Sequence, residues 1–168
     1  EIHFALKEAE HNGIVKESER NMVEGVFYLG DRPVETFMTH RANITYLNID
    51  AKKESLLKTL AAHPNIDVFP VIHGEDIDSV MGTITTRAIL EALVRRGDIH
   101  LKNLCQKPIF IPASMSALTA LELFNRHEVP LLIVLDEYGG FSGSLSVQDL
   151  LAEISVFLQG DEKPNEHI

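Results

Sequence analysis

The sequence predicts an α+β fold in which two β-α-β-β-α repeats pack sheet to sheet as a pseudo-twofold pair, preceded by an N-terminal helical segment. Three observations predict it. Short apolar runs of strand character alternate with stretches whose apolar residues recur at helical spacing. The same order of elements is written twice. Gly82 and Gly143, and likewise Val71 and Val134, fall at matching places in the two copies. One such copy alone is too small to bury its apolar faces well, whereas two packed together can.

Residues 1–42 form the lead-in. Ser18 is placed to cap a helix carrying Met22, Val23, Val26, Phe27 and Leu29 at helical spacing. Arg32-Pro33 then opens a short helical stretch from Val34 to Met38, with proline at a first-turn position. The first repeat, 43–97, begins with a strand around Ile44 to Ile49 and a helix with Leu56, Leu57, Leu60 and Ala61 on one face. A buried strand (Val68 to Ile72), a turn (His73 to Ser79), a strand (Val80 to Thr85) and a helix from Thr86 to Arg96 complete it. Residues 98–107 are expected to be an ordered linker, with Leu101 and Leu104 packing a short turn. The second repeat, 108–158, runs in the same order. It has a strand at Ile109 to Ile111, a helix bearing Ala117, Leu118, Leu121 and Phe124, and a strand at Leu131 to Leu135. The turn Asp136 to Gly140, a strand from Phe141 to Ser146 and a helix from Val147 to Leu158 follow. A polar tail, 159–168, is expected to be flexible.

Composition narrows the function classes. The 168 residues hold 15 Lys and Arg against 25 Asp and Glu, a net charge of −10. That balance lacks the basic footprint of a nucleic-acid binder. One cysteine, Cys105, can make neither an internal disulfide nor a thiolate metal cage, which points to an intracellular setting. No apolar run reaches the roughly 18 residues of a membrane span, so this segment is expected to be soluble. The chain opens on Glu1 rather than Met, and the expectation is a piece of a longer protein.

The chemistry gathers where each repeat ends. Gly143-Ser144-Leu145-Ser146-Val147-Gln148-Asp149 takes a strand into a helix N-terminus, where unpaired N–H groups and the helix dipole can hold a phosphate. The Ser146 hydroxyl aims at the same anion, and Asp149 can accept two hydrogen bonds from a ribose diol. The base of a nucleoside phosphate would then lie between apolar strands such as those around Phe110 and Leu132. The ordinary reading of Ser146 and Asp149 is a capping box, and the repeat is what adds the functional one. In the first copy Thr85 keeps the hydroxyl, but Ala88 stands where Asp149 does. Arg87 could supply phosphate charge there or be a solvated helix residue, and Arg41 is the candidate phosphate partner from the lead-in. The Asp149 site is therefore expected to be the stronger.

These residues resemble a tandem cystathionine-β-synthase-type (CBS) domain pair, the Bateman module. The closer resemblance is to the cytosolic CBS pair of the hemolysin-like CorC/HlyC and cyclin-M membrane proteins. Glu19 to Phe27 with Leu29 to Arg32, Phe37-Met38-Thr39-His40-Arg41, Phe69-Pro70-Val71 and Asp136-Glu137-Tyr138-Gly139-Gly140 carry it, over about residues 15–158. The resemblance implies a regulatory, non-catalytic module on the cytoplasmic face of a membrane. It implies an AMP or ATP ligand, with or without Mg²⁺, in the cleft between repeats, and homodimers formed through the CBS pairs. It further implies a transmembrane domain of the same protein linked to magnesium or cobalt transport. The sequence departs from the family at His40, where proline is usual, and at Ala88, where the family keeps an Asp.

Other features have plainer readings. Glu75, Asp76 and Asp78 could attract Mg²⁺ but suit a solvated turn. The eight histidines show no ligand spacing, and no metal site is expected. Tyr138 could stack on a base or simply close a hairpin. Cys105 has no activating base beside it, and neither a nucleophile elbow nor a Walker loop is present, so hydrolysis of a nucleotide is the least supported reading. The alternative to nucleotide sensing is a dimerisation or interaction module whose sites have decayed, which Ala88 favours.

Overall fold

Strand pairing in the computed structural model, which describes residues 2–13 and 16–162, reproduces the duplication. The first copy forms a three-stranded sheet in the order β2 (Leu47–Asn48), β3 (Val68–His73), β4 (Asp76–Thr85). The second copy's sheet has the order β1 (Thr39–His40), β7 (Phe141–Leu145), β6 (Leu132–Leu135), β5 (Phe110–Pro112). In both, the first strand runs parallel to the second and the last returns antiparallel. The matched residues face one another across equivalent ladders: Val71 opposes Gly82, and Val134 opposes Gly143. Helices α3 (Lys53–Ala62) and α4 (Thr86–Arg96) serve the first sheet, and α6 (Ala117–His127) and α7 (Val147–Glu162) the second.

The two glycines exist because each last strand is crossed by a segment from outside its own copy. β1, from the lead-in, pairs antiparallel with β7 (Thr39 with Ser144, His40 with Gly143). In the linker, Gln106 and Thr83 exchange both backbone hydrogen bonds, at 2.8 and 2.9 Å. A Cβ on Gly82 would stand 2.6 Å from the Gln106 carbonyl oxygen, and one on Gly143 would run into the Thr39 carbonyl and the Met38 sulfur. Only glycine permits so close a backbone approach.

Three apolar clusters hold the layers. Leu47, Leu56, Phe69, Val71, Ile84 and Ile89 fill the space between the first sheet and its helices. Ile111, Ala120, Phe124, Leu132, Val134 and Leu150 do so for the second. The seam between the sheets is packed by Leu131, Ile133 and Phe141 against Ile44, Tyr46, Val68 and Val80. Strand side chains alternate faces, so along β6 Leu132 and Val134 point to the helices while Ile133 points to the seam.

The lead-in departs from its sequence pattern. α2 spans Glu17–Gly30 with Lys16 at the N-cap, so Ser18 lies inside the first turn and caps nothing. Its buried residues are Arg20, Glu24, Gly25 and Leu29, whereas Met22 (71%) and Phe27 (45%) are exposed. Arg20 is ion-paired with Glu10 of α1 (Ile2–His11), and Gly25 brings α2 against Ile154 of α7. Tyr28 stacks on Phe157 at 4.2 Å between ring centroids, with the Arg32 guanidinium over the Tyr28 ring. Val34 to Met38 forms a 3-10 turn at Val34–Thr36 rather than a longer helix, and Val34, Phe37 and Met38 enter the second core. The linker holds a short helix, α5 (Leu101–Leu104), entered after Gly97 in the left-handed conformation (φ 68°). α7 runs beyond Leu158 to Glu162, into the segment expected as tail; residues 163–168 lie outside the described residues.

Candidate functional site

Beside the apolar seam the two repeats leave a cleft of about 320 Å³. The first repeat contributes Ile44, Ile66, Val68 and Pro70 as an apolar wall, with Asn43, Thr45, Asn65 and Asp67 around it. The second contributes Leu131 opposite, then Ser144, Ser146, Gln148 and Asp149 where β7 passes into α7. Thr39 of β1 closes the floor between them. A cleft with apolar side chains on both walls and polar groups around them suits a heteroaromatic ring carrying a polar arm.

Ser146 and Asp149 form a complete capping box. The Asp149 N–H donates to Ser146 Oγ at 3.2 Å, and the Ser146 N–H donates to Asp149 Oδ2 at 2.8 Å. The structural role that this pattern suggested is therefore present, and it does not exhaust the groups. Asp149 Oδ1 lies outside the box and receives only a long bond from Thr39 Oγ1, at 3.4 Å. A carboxylate oxygen has two acceptor positions, so one remains for a ligand hydroxyl. The Ser146 oxygen accepts in the box, which leaves its proton to donate. The first N–H groups of α7, at Val147 and Gln148, have no carbonyl within the helix to bond.

The other residues expected at a site do not line this cleft. Thr85 caps α4 by accepting from the Ala88 N–H at 3.1 Å. Arg87 is exposed and pairs with Glu91 one turn along. Arg41 Nη1 donates to the Phe141 carbonyl at 3.2 Å and lies 3.7 Å from Asp78, which itself accepts from the Phe141 N–H. Arg41 and Asp78 thus clasp the first repeat to the start of β7, and Asp78 is more than a solvated turn residue. Tyr46 donates to the Arg41 carbonyl at 2.9 Å. Burial raises its pKa above the ordinary tyrosine value; Arg41 opposes the shift and Asp78 adds to it. Phe110 stands on the outer strand of its sheet, 49% exposed. Leu132 is fully buried toward the helices, and its neighbour Leu131 supplies the cleft's wall. Tyr138 is 94% exposed on a turn that Asp136 builds by accepting from the Tyr138 and Gly140 N–H groups.

Sequence reasoning did not reach Thr39, Asn43, Ile44, Thr45 or Asn65 to Val68. The Phe37-Met38-Thr39-His40-Arg41 stretch was the available signal for Thr39, through the family resemblance it carries rather than through any alternation. Among the described residues no group of three or more His, Cys, Asp or Glu is gathered to hold a metal ion, and no helix is long and apolar enough to cross a membrane.

Comparison with known proteins agrees with this architecture. A family model for the CBS domain matches residues 98–156. A UPF0053 protein of Synechocystis is 32% identical over 99% of the chain, which spans 37% of that relative's length. The CBS domain of a bacterial CNNM/CorC family Mg²⁺ transporter, solved with an inhibitor, superposes with a TM-score of 0.79 at 27% identity, covering 90% of this chain and 93% of that one. A structure of a CBS domain from that same family in complex with ATP matches with a TM-score of 0.72 at 27% identity, covering 82% and 97%.

Proposed function

The chain is a tandem CBS-domain pair of the type found in bacterial CNNM/CorC proteins, and from that premise we propose that it senses an adenine nucleotide bound between its repeats. The observation that carries the reading is the open slot flanked by both repeats, with one acceptor of Asp149 left over after the cap is complete. The purine lies between Ile44, Ile66 and Val68 on one side and Leu131 on the other. Asp149 Oδ1 accepts from one ribose hydroxyl, and the Ser146 hydroxyl with the first N–H groups of α7 takes the phosphate. Support for an adenine ligand comes also from the ATP complex of the related CBS domain. Because both repeats line the slot, a bound ligand favours the relative orientation that closes on it. That difference in affinity is what an attached membrane transport domain for magnesium or cobalt would read, on its cytoplasmic face.

Calorimetric titration of AMP and of ATP with Mg²⁺ into the wild-type protein and Asp149→Ala tests the assignment, with thermal melts to establish that both are folded. Loss of a hydrogen bond to a charged acceptor is worth about 1.5–3 kcal/mol, so the variant should bind at least tenfold more weakly. Indistinguishable isotherms would remove Asp149 from the site.

The second reading, an interaction module without ligand, is favoured by the first repeat, where Thr85 only caps a helix and Ala88 offers no carboxylate. The two readings share a surface. Leu90 and Val94, four residues apart and exposed on α4, form an apolar strip suited to a second copy of the pair.

A further inference from the structure

Phe141 opens β7 from a buried position, 2% exposed, so its N–H and C=O need partners away from water. β1 pairs with β7 at Ser144 and Gly143 and stops short of Phe141. Two side chains take up the backbone groups there. Asp78 Oδ1 accepts from the Phe141 N–H at 3.2 Å, and Arg41 Nη1 donates to the Phe141 carbonyl at 3.2 Å. The Tyr46 ring adds an edge-on contact with the Phe141 ring, at 5.9 Å between centroids. Arg41 and Tyr46 are themselves joined, the Tyr46 hydroxyl donating to the Arg41 carbonyl at 2.9 Å. Residues 42–45 are thus a loop tied at its base and hung from Phe141, and Asn43, Ile44 and Thr45 of that loop line the cleft. Further along β7, Ser144 lines the cleft from the second repeat.

We infer that Asp78 is a positioning residue for the cleft: by holding the Phe141 N–H it fixes where the Asn43–Thr45 wall stands relative to β7, and so how tightly the repeats grip a ligand that Asp78 does not line. The inference rests on the nucleotide reading above for its ligand, and on geometry alone for the wall. The hydrogen bond does the holding rather than the charge. Arg41 Nη1 and Asp78 Oδ1 lie 3.7 Å apart with both side chains about half exposed, where an ion pair contributes little. An N–H on a residue as buried as Phe141 loses more when its acceptor is taken away. Asp78→Asn keeps an acceptor oxygen in place, whereas Asp78→Ala removes it.

The wild-type protein and both variants, shown by thermal melts to be folded, are compared without ligand by amide hydrogen exchange and backbone amide resonances, then titrated with AMP by calorimetry. The Phe141 amide should be protected in wild type and Asp78→Asn, and should exchange about tenfold faster in Asp78→Ala. The Asn43 to Thr45 resonances should move in Asp78→Ala and stay near their wild-type positions in Asp78→Asn. AMP should bind Asp78→Ala about fivefold more weakly, and Asp78→Asn within about twofold of wild type. Equal protection of Phe141 in all three proteins, or AMP held by Asp78→Ala as tightly as by wild type, would overturn the positioning role while leaving nucleotide binding intact. Both variants weakened alike would overturn it too, because charge would then be doing the holding. If the wild-type protein binds no AMP, the nucleotide reading falls, and the resonances alone decide the role of Asp78: an Asn43–Thr45 wall unmoved in Asp78→Ala ends it.

Discussion

Asp149 shows how one residue can be structural and still available. Its Oδ2 closes the cap of α7, and its Oδ1 accepts a long bond from Thr39 at the edge of the cleft. The sequence made the capping box legible and the spare acceptor a guess, because lone-pair accounting needs the position of β1. Which face Leu132 takes was not legible for a simpler reason. An unbroken apolar strand carries no sign of which parity faces which layer, and only the position of the helices assigns Leu131 to the cleft. Another residue carries strain that the sequence does not announce. Glu128, at the end of α6, adopts the left-handed conformation (φ 51°, ψ 34°) without being glycine. A side chain in that region costs about 1–2 kcal/mol. Glu128→Gly should therefore raise stability by up to about 1 kcal/mol, part of the relief being lost to the entropy of the unfolded glycine. Chemical denaturation measures it, and a lower midpoint would contradict the account of that cap.

Among the elements, the crossing strands decide the architecture. β1 belongs by sequence to the lead-in and by pairing to the second sheet, while the linker at Gln106 completes the first. Each sheet is thus finished by chain from outside its repeat. Two-residue strands leave almost no periodic signal, so this pairing was not legible, although the paired glycines that permit it were. Gly143→Ala forces a methyl group into the Thr39 carbonyl and should cost about 1–3 kcal/mol of stability, the usual penalty of overpacking. Denaturant unfolding of the variant gives that number, and a change under about 0.5 kcal/mol would show that β1 can stand away from β7. α2 teaches the reverse lesson. Of its apolar stripe of Met22, Val23, Val26, Phe27 and Leu29 only Leu29 is buried, and the face that packs also holds Arg20, Glu24 and Gly25. Close approach to α7 through a glycine, an ion pair with α1 and the Tyr28–Phe157 stack outweighed periodicity.

The molecule as a whole is two similar halves joined by a packed seam, a clasp and a slot. The duplication, the order of elements and the end of each repeat were legible because long periodic segments and matched glycines survive in a single sequence. The cleft was legible only on the α7 side; its other wall comes from loops and strand ends around Asn43 and Asn65, where no pattern operates. The last helix of the first repeat, α4, carries Leu90 and Val94 exposed one turn apart. Val94→Glu, at a side chain 87% exposed, should shift the protein toward monomer in sedimentation equilibrium without altering its melting temperature by more than a few degrees. An unchanged mass would remove α4 from any contact between copies.

The slot itself can be watched directly by following backbone amide resonances while AMP, and then ATP with Mg²⁺, is added. Saturable shifts should appear together on both walls, at Asn65 to Val68 and at Ser144 to Asp149, with the outer faces of α3 and α6 unmoved. If neither ligand gives a saturable shift there, or if the shifts fall only outside the cleft, the repeats do not hold an adenine nucleotide between them.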